Sequence, residues 1–163
     1  MFEIPREVVD ILKLINSQNY EAFLIGGAVR DILNSQIPKD YDICTNMPLE
    51  ELKKVLPNFH LMKKTNVRNA GIIIFNNISI EISMYKGKTL KEDILKRDFT
   101  INGIALSHIE GLIDYYNFRT DIEKKKIRLI DNTSNSIKEN PRFRIFSLTC
   151  IPSYSISTFP VNL

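Results

Sequence analysis

A chain of 163 residues, 44% hydrophobic and 25% charged, is long enough for one domain with a real core and too short for several. Its two cysteines, Cys44 and Cys150, and two histidines supply neither a disulfide framework nor a zinc site, so a reducing cytoplasm is the expected setting. A net charge of +3 and a pI near 8.8 permit an RNA partner without selecting one, and with no apolar window of membrane-spanning length the chain is expected to be soluble, without a membrane partner.

Val8, Val9, Ile11, Leu12 and Ile15 recur at helical spacing behind Pro5, which predicts an amphipathic helix over residues 5–17. Residues 20–25 form an apolar, aromatic run that reads as a buried strand, and residues 28–33 suit a short helix. Gly26 and Gly27 stand at the junction. Without side chains they let backbone N–H groups approach an anion closely, and the N-terminal end of the next helix adds partial positive charge, so a triphosphate would fit there. Asp40 and Asp42 follow. On an extended segment their carboxylates share one face while Tyr41 points to the other. Like charges held together repel unless a cation lies between them, and hard oxygen ligands favour Mg²⁺. Two such ions, roughly 3.5–4 Å apart, would clamp the attacking and leaving oxygens of an in-line phosphoryl displacement. A Gly-Gly pair alone reads as a tight turn, and an Asp-x-Asp alone as a solvated loop; their conjunction points to nucleotidyl transfer.

A second helix is expected over residues 48–56, stopped by Pro57. Residues 70–75 and 78–84 flank Asn76 and Asn77 and predict a β-hairpin whose turn tolerates positive φ. Its second strand alternates, with Ile78, Ile80, Ile82 and Met84 on one face and Ser79, Glu81 and Ser83 on the other. Residues 89–96 are helical in pattern, with Glu92 and Asp93 near the start, and lead into Arg97-Asp98-Phe99-Thr100-Ile101-Asn102. Lys124, Lys125, Lys126 and Arg128 form a local basic patch.

Three blocks in this order, Gly26-Gly27-Ala28-Val29-Arg30-Asp31, Pro38-Lys39-Asp40-Tyr41-Asp42-Ile43-Cys44-Thr45 and Lys96-Arg97-Asp98-Phe99-Thr100-Ile101-Asn102-Gly103, resemble the bacterial-type tRNA nucleotidyltransferases (CCA-adding enzymes) and their relatives, the bacterial poly(A) polymerases. The resemblance covers roughly residues 5–140. It implies an α/β fold, a small mixed sheet of about five strands with packed helices like the polymerase-β superfamily head. It also implies metal-dependent transfer of a nucleoside monophosphate from CTP or ATP to an RNA 3′ hydroxyl, the tRNA 3′ end in the CCA-adding members. By the resemblance Asp40, Asp42 and Glu81 are the catalytic, Mg²⁺-holding acids, although a lone strand Glu is also at home on a solvated face. Gly26, Gly27 and Arg30 hold the triphosphate, with Asp31 orienting Arg30. Asp98 and Asn102 meet ribose hydroxyls and Arg97 neutralises phosphate; the alternative for this last block is a helix cap with an ion pair.

The chain also departs from the family. Only residues 87–95 fill the gap where CCA-adding members carry a flexible loop that switches the pocket from CTP to ATP, and a short loop here resembles relatives that add only the two C residues. In the base-reading motif Glu139 remains, Asn140 replaces Asp, and Phe143 stands where the family has Arg, so poor base selection is expected. Residues 145–163 contain no charged residue. Residues 1–140 therefore read as a nucleotidyltransferase head. Residues 141–163 read as a truncated or frameshifted tail in place of neck and body, or alternatively as a genuine strand docked on the head. An inactive NTP-binding fragment is the rival reading of the whole.

Overall fold

The computed structural model describes residues 3–62, 70–130 and 155–156. Helix α1 (Arg6–Ser17) starts behind Pro5, whose carbonyl accepts the amides of Val8 and Val9, and buries Val8, Ile11, Leu12 and Ile15, one stripe at helical spacing. Strand β1 (Ala22–Ile25) runs directly into α2 (Gly27–Leu33), and β2 (Asp40–Thr45) returns beside β1. After α3 (Leu49–Val55) come β3 (His60–Leu61), β4 (Ala70–Phe75) and β5 (Ile78–Met84). Asn76 and Asn77 have φ of 46° and 68°, the double positive φ of a tight two-residue hairpin turn. Then follow α4 (Leu90–Leu95), a 3-10 turn (Thr100–Asn102), β6 (Ala105–Ser107), β7 (Gly111–Ile113), α5 (Arg119–Glu123) and β8 (Lys126–Ile127).

Strands β1 to β7 form one sheet in the order β3-β4-β5-β2-β1-β6-β7, in which β2 and β5 are parallel and every other pair is antiparallel. The α/β expectation holds; the sheet has seven strands rather than about five. The additions are short: β3, β6 and β7 have two, three and three residues, too few to show a period-2 pattern. Leu24, Ile25, Ile43, Ile80 and Ile82 from the central strands are fully buried with Leu12, Ile15, Leu52, Ile94 and Phe118 from the surrounding elements.

Strand β9 (Ser155–Ile156) pairs in parallel with β8. Glu139, Asn140 and Phe143 lie outside the described residues. Arg128 does not join the surface patch of Lys124, Lys125 and Lys126: its Nε donates to both oxygens of buried Asp121 at 3.0 and 2.8 Å. Among the described residues no helix is long and apolar enough to cross a membrane.

Candidate active site

β2 carries its even residues on one face and its odd residues on the other. Tyr41, Ile43 and Thr45 are buried on the odd face; the even face runs from exposed Asp40 through half-buried Asp42 to fully buried Cys44. This gradient leaves the even face open at the start of β2 and closed at Cys44. β5 lies alongside with Asp42 opposite Glu81 and Asp40 opposite Ser79, which puts all three carboxylates on one face of two adjacent strands. On the other side Asp42 pairs with Ile25, the last residue before the glycines.

Gly26 is fixed to this site twice over. Its φ is 81°, a region that L side chains rarely adopt, and a Cβ built there would lie 2.8 Å from Asp42 Oδ2. The bend at Gly26 therefore brings the start of α2 against the carboxylate face. A Cβ on Gly27 would meet the Arg30 guanidinium at 3.3 Å, so that side chain curls back over the glycine turn. Since α2 has only seven residues, close backbone approach at Gly26 and Gly27 contributes more to an anion cradle than a helix macrodipole does.

Arg30 is held from two sides. Its Nε donates to Asp31 Oδ1 at 2.9 Å, with Nη2 ion-paired to the same oxygen at 2.7 Å, and its Nη1 donates to Asn102 Oδ1 at 3.0 Å. Asp31 thus does orient Arg30. Asn102, expected to meet a sugar hydroxyl, also fixes the arginine through its carbonyl oxygen. Asp98 is exposed, and its backbone carbonyl accepts the Ile130 amide at 3.1 Å.

Arg97 has a different setting from the expected phosphate contact. Its Nε and Nη2 donate to Asp93 Oδ2 at 2.9 and 2.8 Å, with side chains 11% and 2% exposed, the ion pair of the alternative reading. The same guanidinium lies against Cys44, on the carboxylate face but beyond its closed end. Asp93 also accepts the Lys86 amide at 2.9 Å, tying α4 to the end of β5. The lysines close the same seam: Lys86 Nζ donates to the Lys96 carbonyl at 2.8 Å, and Lys96 Nζ to the Lys86 carbonyl at 2.6 Å. Thr89 caps α4 by accepting the Glu92 amide at 3.2 Å, and Glu92 accepts the Lys88 amide at 2.8 Å. Residues 86–96 therefore form a closed clasp.

Three carboxylates with only hard oxygen donors suit a divalent cation such as Mg²⁺ in type, and they lie beside a glycine turn that a side chain would fill. Among the described residues no three acidic, imidazole or thiolate groups stand close enough to enclose a metal ion, so these carboxylates share a face without converging on a point.

Residues 22–89 and 81–128 match the family described as the poly A polymerase head domain. A CC-adding tRNA nucleotidyltransferase of Shouchella clausii is 34% identical over 131 residues, 80% of this chain and 34% of the relative. A second protein of that description, from Halalkalibacterium halodurans, is 30% identical over 141 residues, 86% of this chain and 37% of the relative. The solved CCA-adding enzyme of Bacillus stearothermophilus in complex with CTP superposes with a TM-score of 0.81 at 22% identity, covering 94% of this chain and 40% of that one, which shows a shared fold. The chain thus spans about a third of the length of the curated relatives it matches.

Proposed function

Because the chain belongs to the poly(A) polymerase head-domain family, we propose that it is the catalytic head of a tRNA nucleotidyltransferase that transfers CMP from CTP to the 3′ hydroxyl of tRNA. The reading is carried by the register of Asp42 against Glu81, with Asp40 on the same face and Gly26 against Asp42. In the reaction the RNA 3′ oxygen attacks the α-phosphorus, the bond from that phosphorus to the oxygen bridging it to the β-phosphate breaks, and pyrophosphate leaves. Asp40, Asp42 and Glu81 would hold Mg²⁺, which when bound supplies Lewis-acid polarisation of the phosphoryl oxygens. Backbone amides at Gly26 and Gly27 and the Arg30 guanidinium orient the triphosphate, and Asp98 with Asn102 faces the ribose. Glu139 and Asn140 complete the reading at the base, with residues 1–140 as the head. Arg97 acts as a bracket between Asp93 on α4 and Cys44 on β2 rather than as a phosphate ligand.

Addition of C residues without the terminal A is favoured over complete CCA addition. Two relatives at 30% identity or more are CC-adding enzymes, and the clasp of Lys86, Thr89, Glu92 and Lys96 leaves no long lever to reshape the pocket between nucleotides. The test is incorporation of single labelled nucleotides into a tRNA that lacks its 3′ CCA. It is made with the chain and with a chimaera that adds the part of the Shouchella relative beyond the match. Two CMP additions and no AMP are expected; runs of AMP would overturn the reading in favour of a poly(A) polymerase.

A further inference from the structure

We infer that Asp121 is a positioning residue for the triphosphate cradle: through Thr100 it sets the 3-10 turn from which Asn102 holds Arg30. The inference rests on the reading of Arg30 as a triphosphate ligand. Asp121 is 2% exposed and sits on α5, remote in sequence from every cradle residue. Its Oδ2 accepts the Thr100 hydroxyl at 2.7 Å, and both its oxygens accept Arg128 Nε. The segment around Thr100 is held along its backbone as well: the Thr100 amide donates to the Arg128 carbonyl at 3.0 Å, the Ile130 amide to the Asp98 carbonyl at 3.1 Å, and Phe99 bridges Leu129. Thr100 is the first residue of the turn and Asn102 the last, so fixing the hydroxyl of one fixes the direction of the other. Asn102 Oδ1 accepts Arg30 Nη1 at 3.0 Å, and Asp31 holds the opposite side of the guanidinium. Two hydrogen-bonded pairs, Asp121 with Thr100 and Asn102 with Arg30, thus connect through the backbone of the 3-10 turn and link α5 to the glycine turn. Each of the two pairs includes one charged member, which makes its hydrogen bond stronger than a neutral one.

A double-mutant cycle separates positioning from mere support, because residues acting through one another give non-additive losses. Mg²⁺-dependent CTP binding is titrated calorimetrically for the chain, Thr100→Val, Thr100→Ser, Arg30→Ala and the Thr100→Val/Arg30→Ala pair, with thermal unfolding alongside. Thr100→Val should weaken binding about fivefold, the worth of one hydrogen bond, and Thr100→Ser, which keeps the hydroxyl, should restore it. The double variant should bind no more weakly than Arg30→Ala. The Arg30 Nε–H resonance should shift in Thr100→Val and return in Thr100→Ser. Thr100→Ala gives the same cycle if the valine variant does not fold. Additive losses, or unchanged binding in Thr100→Val beside weakened binding in Arg30→Ala, would overturn the positioning role alone. Unchanged binding in Arg30→Ala would overturn the triphosphate reading itself.

Discussion

Three glycines of this chain separate space from conformation at the level of single residues. Gly26 combines φ of 81° with a would-be Cβ contact of 2.8 Å to Asp42 Oδ2; Gly111 has φ of 79° and open space; Gly27 meets only the flexible Arg30 guanidinium, at 3.3 Å. Alanine at Gly111 should therefore cost stability alone, about 1 kcal/mol. Alanine at Gly27 should be milder in stability and should act through Arg30. Gly26→Ala should lose both, with about 1–2 kcal/mol of stability and most Mg²⁺-dependent CTP binding gone, because Asp42 is displaced. Urea unfolding and CTP titration of the three variants check the order.

Cys44 makes a second residue-scale case. Burial pushes its thiol up from 9.0 to about 12, with Arg97 pulling the other way. The folded chain keeps a proton that the unfolded chain sheds, so this contribution is complete below about pH 9 and is lost as pH rises toward 12. Tyr85, raised above its usual 10.0 by burial, adds to the loss at the upper end. The urea midpoint should fall on the alkaline side, and Cys44→Ala should flatten the first part of that fall. An equally steep fall in Cys44→Ala would remove the thiol as its cause.

At the scale of elements, the seam between β5 and α4 depends on a buried charge pair. Removing Arg97 leaves Asp93 buried with its Lys86 amide contact and no cation, so Arg97→Ala should cost about 3–5 kcal/mol. Arg97→Ala combined with Asp93→Asn should recover part of that loss, as measured by denaturant unfolding. Loss of activity in Arg97→Ala would then reflect the clasp. This pair was legible in the sequence, since the two residues lie four apart across the end of α4. The stripe of α1, the Asn76-Asn77 turn and the polar face of β5 were legible for the same reason: each is a local period. Strands β6 and β7 were not, because three residues beside Gly103 and Gly111 carry no period. The Asp121, Thr100 and Arg128 network was not legible either, since its members meet only after the chain has folded back over more than one element.

For the molecule as a whole, the site is an acidic patch on a mildly basic chain, and its three carboxylates come from two strands that meet only across the sheet. The sequence supplies the faces of those strands; the parallel pairing that sets Glu81 opposite Asp42 is a tertiary fact. Carboxylates on one face of two paired strands suit a bound cation, which is the role proposed for them. Asp42→Asn keeps the shape of the side chain while it removes a charged cation ligand. The direct measurement is a calorimetric titration of CTP into the chain and into Asp42→Asn, each with and without Mg²⁺. Binding should require Mg²⁺ in the chain and weaken at least about tenfold in Asp42→Asn, a loss of about 1.4 kcal/mol or more. Equal affinity in the two proteins, or affinity indifferent to Mg²⁺, would contradict the assignment of this cleft as a metal-dependent nucleotidyl-transfer site.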